Sequence, residues 1–171
     1  ARILELLHVL CNEDDAAFDW ALKWLAYPLQ HPGAKMESAI IMHGEEGAGK
    51  NLFWAAAREI YGQYSTVITQ NELESQFNTW ASCKMFMIAN EVVSRGELRE
   101  HKGRLKNYIT EDVVQINEKM LPLREERNCA NFVFLSNETV PLVLDRTDRR
   151  YLVVWTPPTP RPSEFYAEVG A

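Results

Sequence analysis

The feature that most restricts this chain is a glycine-rich turn set between a strand and a helix. Residues 39–42, Ala-Ile-Ile-Met, form a short apolar run of the kind a strand buried on both faces requires. Gly44-Glu45-Glu46-Gly47-Ala48-Gly49-Lys50-Asn51-Leu52 follows at once and fits G-x-x-x-x-G-K. Residues 50–61 carry a helical pattern behind it. Glycines let a backbone curl its N–H groups around phosphate oxygens, and a helix start adds a positive dipole end. Lys50 then reaches the outer phosphates as a mobile cation. A strand-to-helix turn that needs glycine only for its geometry explains the same letters with less chemistry. One position departs from the usual pattern. The residue after the lysine is commonly Ser or Thr, whose hydroxyl binds Mg²⁺, and here it is Asn51.

Two further apolar runs end on polar residues. Met85-Phe86-Met87-Ile88 leads to Ala89-Asn90-Glu91, and Phe132-Val133-Phe134-Leu135 leads to Ser136-Asn137. Ligands bind beyond the carboxyl ends of strands in open α/β sheets, so Glu91 and Asn137 are candidates for the same site as Lys50. Glu91 would hold the metal's water shell and activate an attacking water, and Asn137 would orient that water or sense a γ-phosphate. Taken singly, each is equally a turn residue. Asp145-Arg146-Thr147-Asp148-Arg149-Arg150 stands just before a last apolar run at 151–155. An arginine there could stabilise charge on a neighbour's γ-phosphate, while the alternating signs also suit a surface ion-pair cluster.

The remaining elements alternate helix and strand, which predicts an α/β fold with a mostly parallel sheet covered on both faces. Helices are expected at 2–11, from an Asn12 cap to 30, at 97–109, and from a Thr69 capping box to Trp80. Phe18, Leu22, Leu25 and Leu29 mark one face of the second helix, and Trp20, Trp24 and Tyr27 another. Residues 113–117 and 121–125 are expected to pair as a hairpin across Glu118-Lys119-Met120. The expected layout is a helical segment at 1–34, a core at 35–157 and a tail at 158–171.

Composition closes off several classes. The chain of 171 residues is 46% hydrophobic, which excludes global disorder. No run approaches the length of a membrane span and no signal peptide stands at the start. Cys11, Cys83 and Cys129 are too few and too scattered for a disulfide framework or a zinc site. The net charge of −6 sits in residues 1–78, and the remainder is neutral, so a uniformly basic nucleic-acid binder is unlike this chain. Residues 95–106 are locally basic, as either a nucleic-acid contact or a solvated helix face. Ala1 at the start and the short tail after Pro162 read as a piece of a longer polypeptide.

In order, the motifs at 44–51, 85–91, 132–137 and 145–150 resemble those of the superfamily 3 helicases, a branch of the AAA+ P-loop NTPases. The stretch from Trp24-Leu25-Ala26 to Gln30-His31-Pro32 and Lys35 is similar to the helicase part of phage and plasmid primase–helicases, related to the poxvirus primase–helicase. So is Leu105-Lys106-Asn107-Tyr108-Ile109-Thr110 leading to Asn117-Glu118-Lys119. This resemblance covers residues 3–155. It implies an ATP- and Mg²⁺-dependent helicase core with Gly44, Gly49 and Lys50 on the phosphates and Glu91 at the metal, which Asn51 would ligate directly, through water, or not at all. Glu91 would be the catalytic base, Asn137 the sensor, and Arg149 or Arg150 a finger supplied across a subunit interface. It further implies a hexameric ring around single-stranded DNA, with Lys119 in the pore, Lys106 and Arg124 as weaker contacts, and a helical collar before residue 35. A primase domain would lie in a preceding segment, and the setting would be the cytoplasm of a bacterial host. Asn51 and Asn90 depart from the family's pattern, and both departures touch metal binding. Two rivals share the same letters: a non-catalytic nucleotide- and DNA-binding assembly module, and a small-molecule phosphotransferase.

Overall fold

Runs of four apolar residues can be satisfied only where helices cover both faces of a sheet, and the computed structural model builds that arrangement. It describes residues 2–91, 99–139, 141, 144 and 147–169. Strands β1 (Ala39–His43), β2 (Ser65–Ile68), β3 (Phe86–Asn90), β6 (Asn131–Ser136) and β7 (Tyr151–Trp155) form one sheet in the order β2-β3-β6-β1-β7. Every neighbouring pair runs parallel. The loops after β1, β3 and β6 therefore leave the sheet along one edge, with Met42 opposite Leu135 and Ala89 opposite Phe134.

Alternation along each strand divides the core in two. Ile40, Met42, Phe86, Ile88, Val133 and Leu135 face helices α1 (Arg2–Leu10), α2 (Asp15–Gln30) and α3 (Lys50–Tyr61). Ile41, Met87, Phe132 and Phe134 face Leu105, Tyr108 and Ile109 of α5 (Arg99–Thr110) and the buried side of a hairpin, β4 (Val113–Ile116) with β5 (Arg124–Arg127). Leu6, Leu7 and Leu10 of α1 are wholly buried in the first cluster. Helices α1 and α2 thus share a core with the sheet. On α2, Ala21, Trp24, Leu25 and Pro28 are buried at helical spacing, while Trp20 and Tyr27 are exposed. No helix among the described residues is long and apolar enough to cross a membrane.

Local expectations fail where distant groups intervene. Asn12 and Glu13 take left-handed φ of 57° and 59° in the turn between α1 and α2. The cap of α2 is therefore Asp14, whose carboxylate accepts from the N–H groups of Ala16 and Ala17 at 2.8 and 3.1 Å. The Thr69 capping box forms, but its helix, α4 (Gln70–Glu74), stops well short of Trp80. The chain leaves the helix so that Asn78, buried, can donate to the Tyr108 hydroxyl and the Gln115 carbonyl and accept from Asn117 N–H. Those bonds also end β4 at Ile116. The hairpin connection is then residues 117–123, longer than the expected three-residue turn, and β5 begins at Arg124. The expected helix start at Glu97 lies outside the described residues, as do Arg95 of the basic stretch and Asp145 and Arg146 of the arginine motif. In the expected tail, Ser163–Val169 forms a further helix, α6.

Lys35 joins the two layers. Its ammonium donates to the carbonyls of Tyr108 (2.6 Å) and Ala130 and to Asn128 Oδ1 (3.3 Å), so a single cation ties the end of α5 to the start of β6. Burial pushes its pKa down from 10.5 to about 8. Lys35→Met is expected to lower stability by about 3 kcal/mol in urea unfolding at pH 7, because buried carbonyls lose their donors. Between about pH 8 and 10.5 the unfolded chain binds a proton here that the folded chain has released. Wild-type stability accordingly gains a rising component across that window, and the variant lacks it.

Candidate nucleotide site

Three strand ends converge on one cleft. Gly44, Gly47 and Gly49 hold φ of 140°, 89° and 93°, which side chains other than glycine rarely tolerate. A Cβ on Gly44 would fall 2.4 Å from the Thr156 carbonyl oxygen. The loop is thus closed against the end of β7 as well as against β6, where Gly44 N–H donates to the Ser136 carbonyl at 3.2 Å. Lys50 opens α3 with only 6% of its surface exposed. Its ammonium donates to the carbonyls of Gly44 and Glu45, both at 2.7 Å. Burial lowers its pKa below the ordinary lysine value, and nearby Glu46 works against that shift.

Glu91 stands directly after β3. Its N–H donates to the Leu135 carbonyl at 2.9 Å, and its φ is 54°, a left-handed value for a residue with a side chain. Of the non-glycine residues at positive φ among the described residues, Glu91 alone lines the cleft. Such strain is kept where surrounding structure imposes it, and it concentrates at functional sites. Asn137, just beyond β6, donates from Nδ2 to Glu46 Oε1 at 3.0 Å and so bridges the third strand end to the loop.

The cleft holds about 530 Å³ and is lined by Glu46 to Leu52 together with Glu91, Asn137 and Tyr166. That volume lies within the range of small-molecule sites. The glycine cradle and buried lysine suit a nucleoside triphosphate. Among the described residues no cluster of three or more His, Cys, Asp or Glu side chains is placed to hold a metal. Asn51 and Glu91 on the cleft nevertheless suit Mg²⁺, which needs one or two protein ligands when phosphates supply the rest.

Other candidate residues lie elsewhere. Arg149 and Arg150 precede β7, at the opposite edge of the sheet from the loop, about 16 Å away along a five-residue strand. Arg150 makes a two-point contact with Asp148, and its guanidinium sits 6.0 Å from the Tyr151 ring centre. Arg149 is exposed. Lys119 is exposed in the hairpin connection beside Met120, which is 91% exposed. Arg124 is committed within the hairpin, pairing with Glu118 at 2.8 Å and Glu126 at 2.9 Å. Lys106 is exposed on α5, and its charge helps hold the Asp148 carboxyl below the usual range, after the larger effect of the Arg150 hydrogen bond. Tyr166 is the cleft residue that sequence reasoning missed. Its signal, Phe165-Tyr166 with Val169 in one short helix after several prolines, is too brief to show a periodicity.

Comparison with known proteins agrees on kinship. The chain is 33% identical over 155 residues to the DNA primase-polymerase of Nitratiruptor phage NrS-1, a match covering 89% of this chain and 21% of that protein. Solved structures of the NrS-1 C-terminal region superpose with TM-scores of 0.89 and 0.86 at 30% and 31% identity. Those matches cover 99% of this chain and 42% of the solved region. The chain therefore spans about a fifth of the curated relative it matches and is homologous to part of that relative's C-terminal region. Residues 42–150, which run from the end of β1 through the cleft to the arginine pair, match the profile of one family, and the chain belongs to it: the family of unknown function DUF5906.

Proposed function

We propose that this chain is the ATPase core of a phage replicative DNA helicase, a superfamily 3 member of the AAA+ P-loop NTPases that works as a ring on single-stranded DNA. The observation that carries the reading is the convergence of Lys50, Glu91 and Asn137, from three different strand ends, on one cleft. The sheet order supports it, because β6 lies between the phosphate-loop strand and the carboxylate strand and so delivers Asn137 between Lys50 and Glu91. Kinship with a phage DNA primase-polymerase supports a place in DNA replication, alongside a primase domain and in the host cytoplasm.

In this mechanism the loop N–H groups and Lys50 bind the β- and γ-phosphates. The ammonium that rests on Gly44 and Glu45 carbonyls exchanges those contacts for phosphate oxygens. Glu91 accepts a proton from the attacking water, and Asn137, released from Glu46, orients that water. Mg²⁺, when bound through Asn51 and Glu91, would neutralise phosphate charge. Arg149, exposed and remote from its own cleft, reaches the γ-phosphate of a neighbouring subunit. Arg150 is the weaker candidate, given its contacts to Asp148. Lys119, at an exposed hairpin tip, contacts the DNA backbone, with Lys106 a secondary contact, and six copies in a ring make a positive collar on an acidic protein. Arg124 holds the hairpin's shape.

A second reading is a non-catalytic nucleotide- and DNA-binding module. The amides at Asn51 and Asn90, where metal-binding side chains are usual, favour it. Glu91→Gln separates the two readings. The helicase reading expects ATP turnover to fall at least 100-fold with ATP affinity within about threefold of wild type. Unchanged turnover in the variant would contradict the role of Glu91. Binding without turnover in the wild type would favour the module.

A further inference from the structure

The tail of this chain folds back onto the phosphate loop. Tyr166 of α6 donates from its hydroxyl to the Ala48 carbonyl at 3.3 Å, and the same hydroxyl accepts from Arg161 N–H at 3.0 Å. Its ring lies so close to the loop that a Cβ on Gly49 would fall 2.9 Å from Cε1. Leu6 of α1 bounds the same spot from the other terminus, with Cδ1 at 3.2 Å from that position. Gly49 is therefore required twice, by its φ and by these two side chains.

Ion pairs also join the hook to α1 and to the turn after it. Arg161 meets Glu13 at 2.6 Å and Arg2 meets Glu168 at 2.6 Å, with the Arg2 guanidinium 5.8 Å from the Phe165 ring centre. Exposed pairs of this kind each contribute little to stability. Phe165, Tyr166 and Val169 pack against the first core cluster, and that packing sets where the Tyr166 ring sits.

We propose that Tyr166 is a positioning residue for nucleotide binding, and that the hook at 161–169 latches the phosphate loop in its binding form. This rests on the reading of the cleft as a nucleoside triphosphate site. The geometry is direct. A peptide unit is planar, so holding the Ala48 carbonyl fixes the direction of Gly49 N–H, a donor of the loop. A loop arranged in advance loses less conformational entropy when phosphate binds. The latch also places both ends of the chain, α1 and α6, against one wall of the cleft. Whatever displaces the hook would thereby weaken nucleotide affinity without touching a phosphate-binding residue.

Tyr166→Phe tests this, because it keeps the ring and removes the hydroxyl. ATP binding is measured by calorimetry on wild type, Tyr166→Phe, Tyr166→Ala and the distant control Tyr64→Phe, beside melting temperatures without nucleotide. The latch predicts affinity about fivefold weaker for Phe and weaker again for Ala. Phe is expected to melt within about 1 °C of wild type, and Tyr64→Phe to bind as wild type does. Should Ala fold poorly, Phe alone decides. Wild-type affinity in Tyr166→Phe would overturn the latch and leave the nucleotide reading intact. A folded wild type that binds no ATP would overturn the nucleotide reading, and the latch with it.

Discussion

Lys50→Ala is expected to weaken ATP binding by at least 100-fold and to leave no measurable turnover. The Lys50 ammonium is held almost wholly out of solvent at the head of α3. Its two carbonyl contacts, at 2.7 Å each, come from the loop that would receive the phosphates. A buried charge paired with a phosphate accounts for roughly 3–4 kcal/mol on the evidence of truncated charge pairs, and 1.4 kcal/mol is a factor of ten. Stability is expected to fall by less than affinity: the Gly44 and Glu45 carbonyls lose their donor, while burial, which lowers the Lys50 pKa, makes keeping the charge there costly. Calorimetric titration with ATP, run beside thermal unfolding, separates the two effects. A variant that binds ATP as wild type does would remove Lys50 from the site.

The second large effect belongs to Arg149. Arg149→Ala is expected to cut turnover by about 10³-fold with ATP affinity nearly unchanged. The reason is positional. Arg149 lies at the edge of the sheet where β7 begins, and the phosphate loop lies at the edge where β1 ends. Within one chain the two stand at opposite edges of the sheet, so the proposed role requires Arg149 to act on a neighbour. Mixing then becomes diagnostic. Arg149→Ala subunits carry an intact Glu91, and Glu91→Gln subunits carry an intact Arg149. Activity should reappear when two inactive preparations are combined. If Arg149→Ala alone retained full turnover, the shared-site account would fail at this residue, and Arg150 would be the next to test.

Particular residues show how far the sequence alone encodes this arrangement. Helix α3 and strands β2 and β7 occur where expected because their causes are local: an apolar run, a glycine, a change of period. Glu91 and Asn137 meet Lys50 because polar residues closing buried parallel strands share one edge of the sheet. The misses share a different cause. Helix α4 ends early because Asn78 is claimed by Gln115 and Asn117, some forty residues onward. Tyr166 reaches Ala48 across 118 residues of sequence. Each is a side-chain contact between distant segments, which neither periodicity nor propensity encodes. Partners across a subunit boundary are a step further still.

One measurement bears most directly on the central claim: steady-state ATP hydrolysis by the wild-type chain over a wide range of protein concentration, with and without single-stranded DNA. A motor that shares its sites predicts that activity per subunit climbs steeply as subunits assemble, and climbs further with DNA. Activity per subunit that stays constant with concentration and ignores DNA would contradict it, and would describe an enzyme complete in one chain.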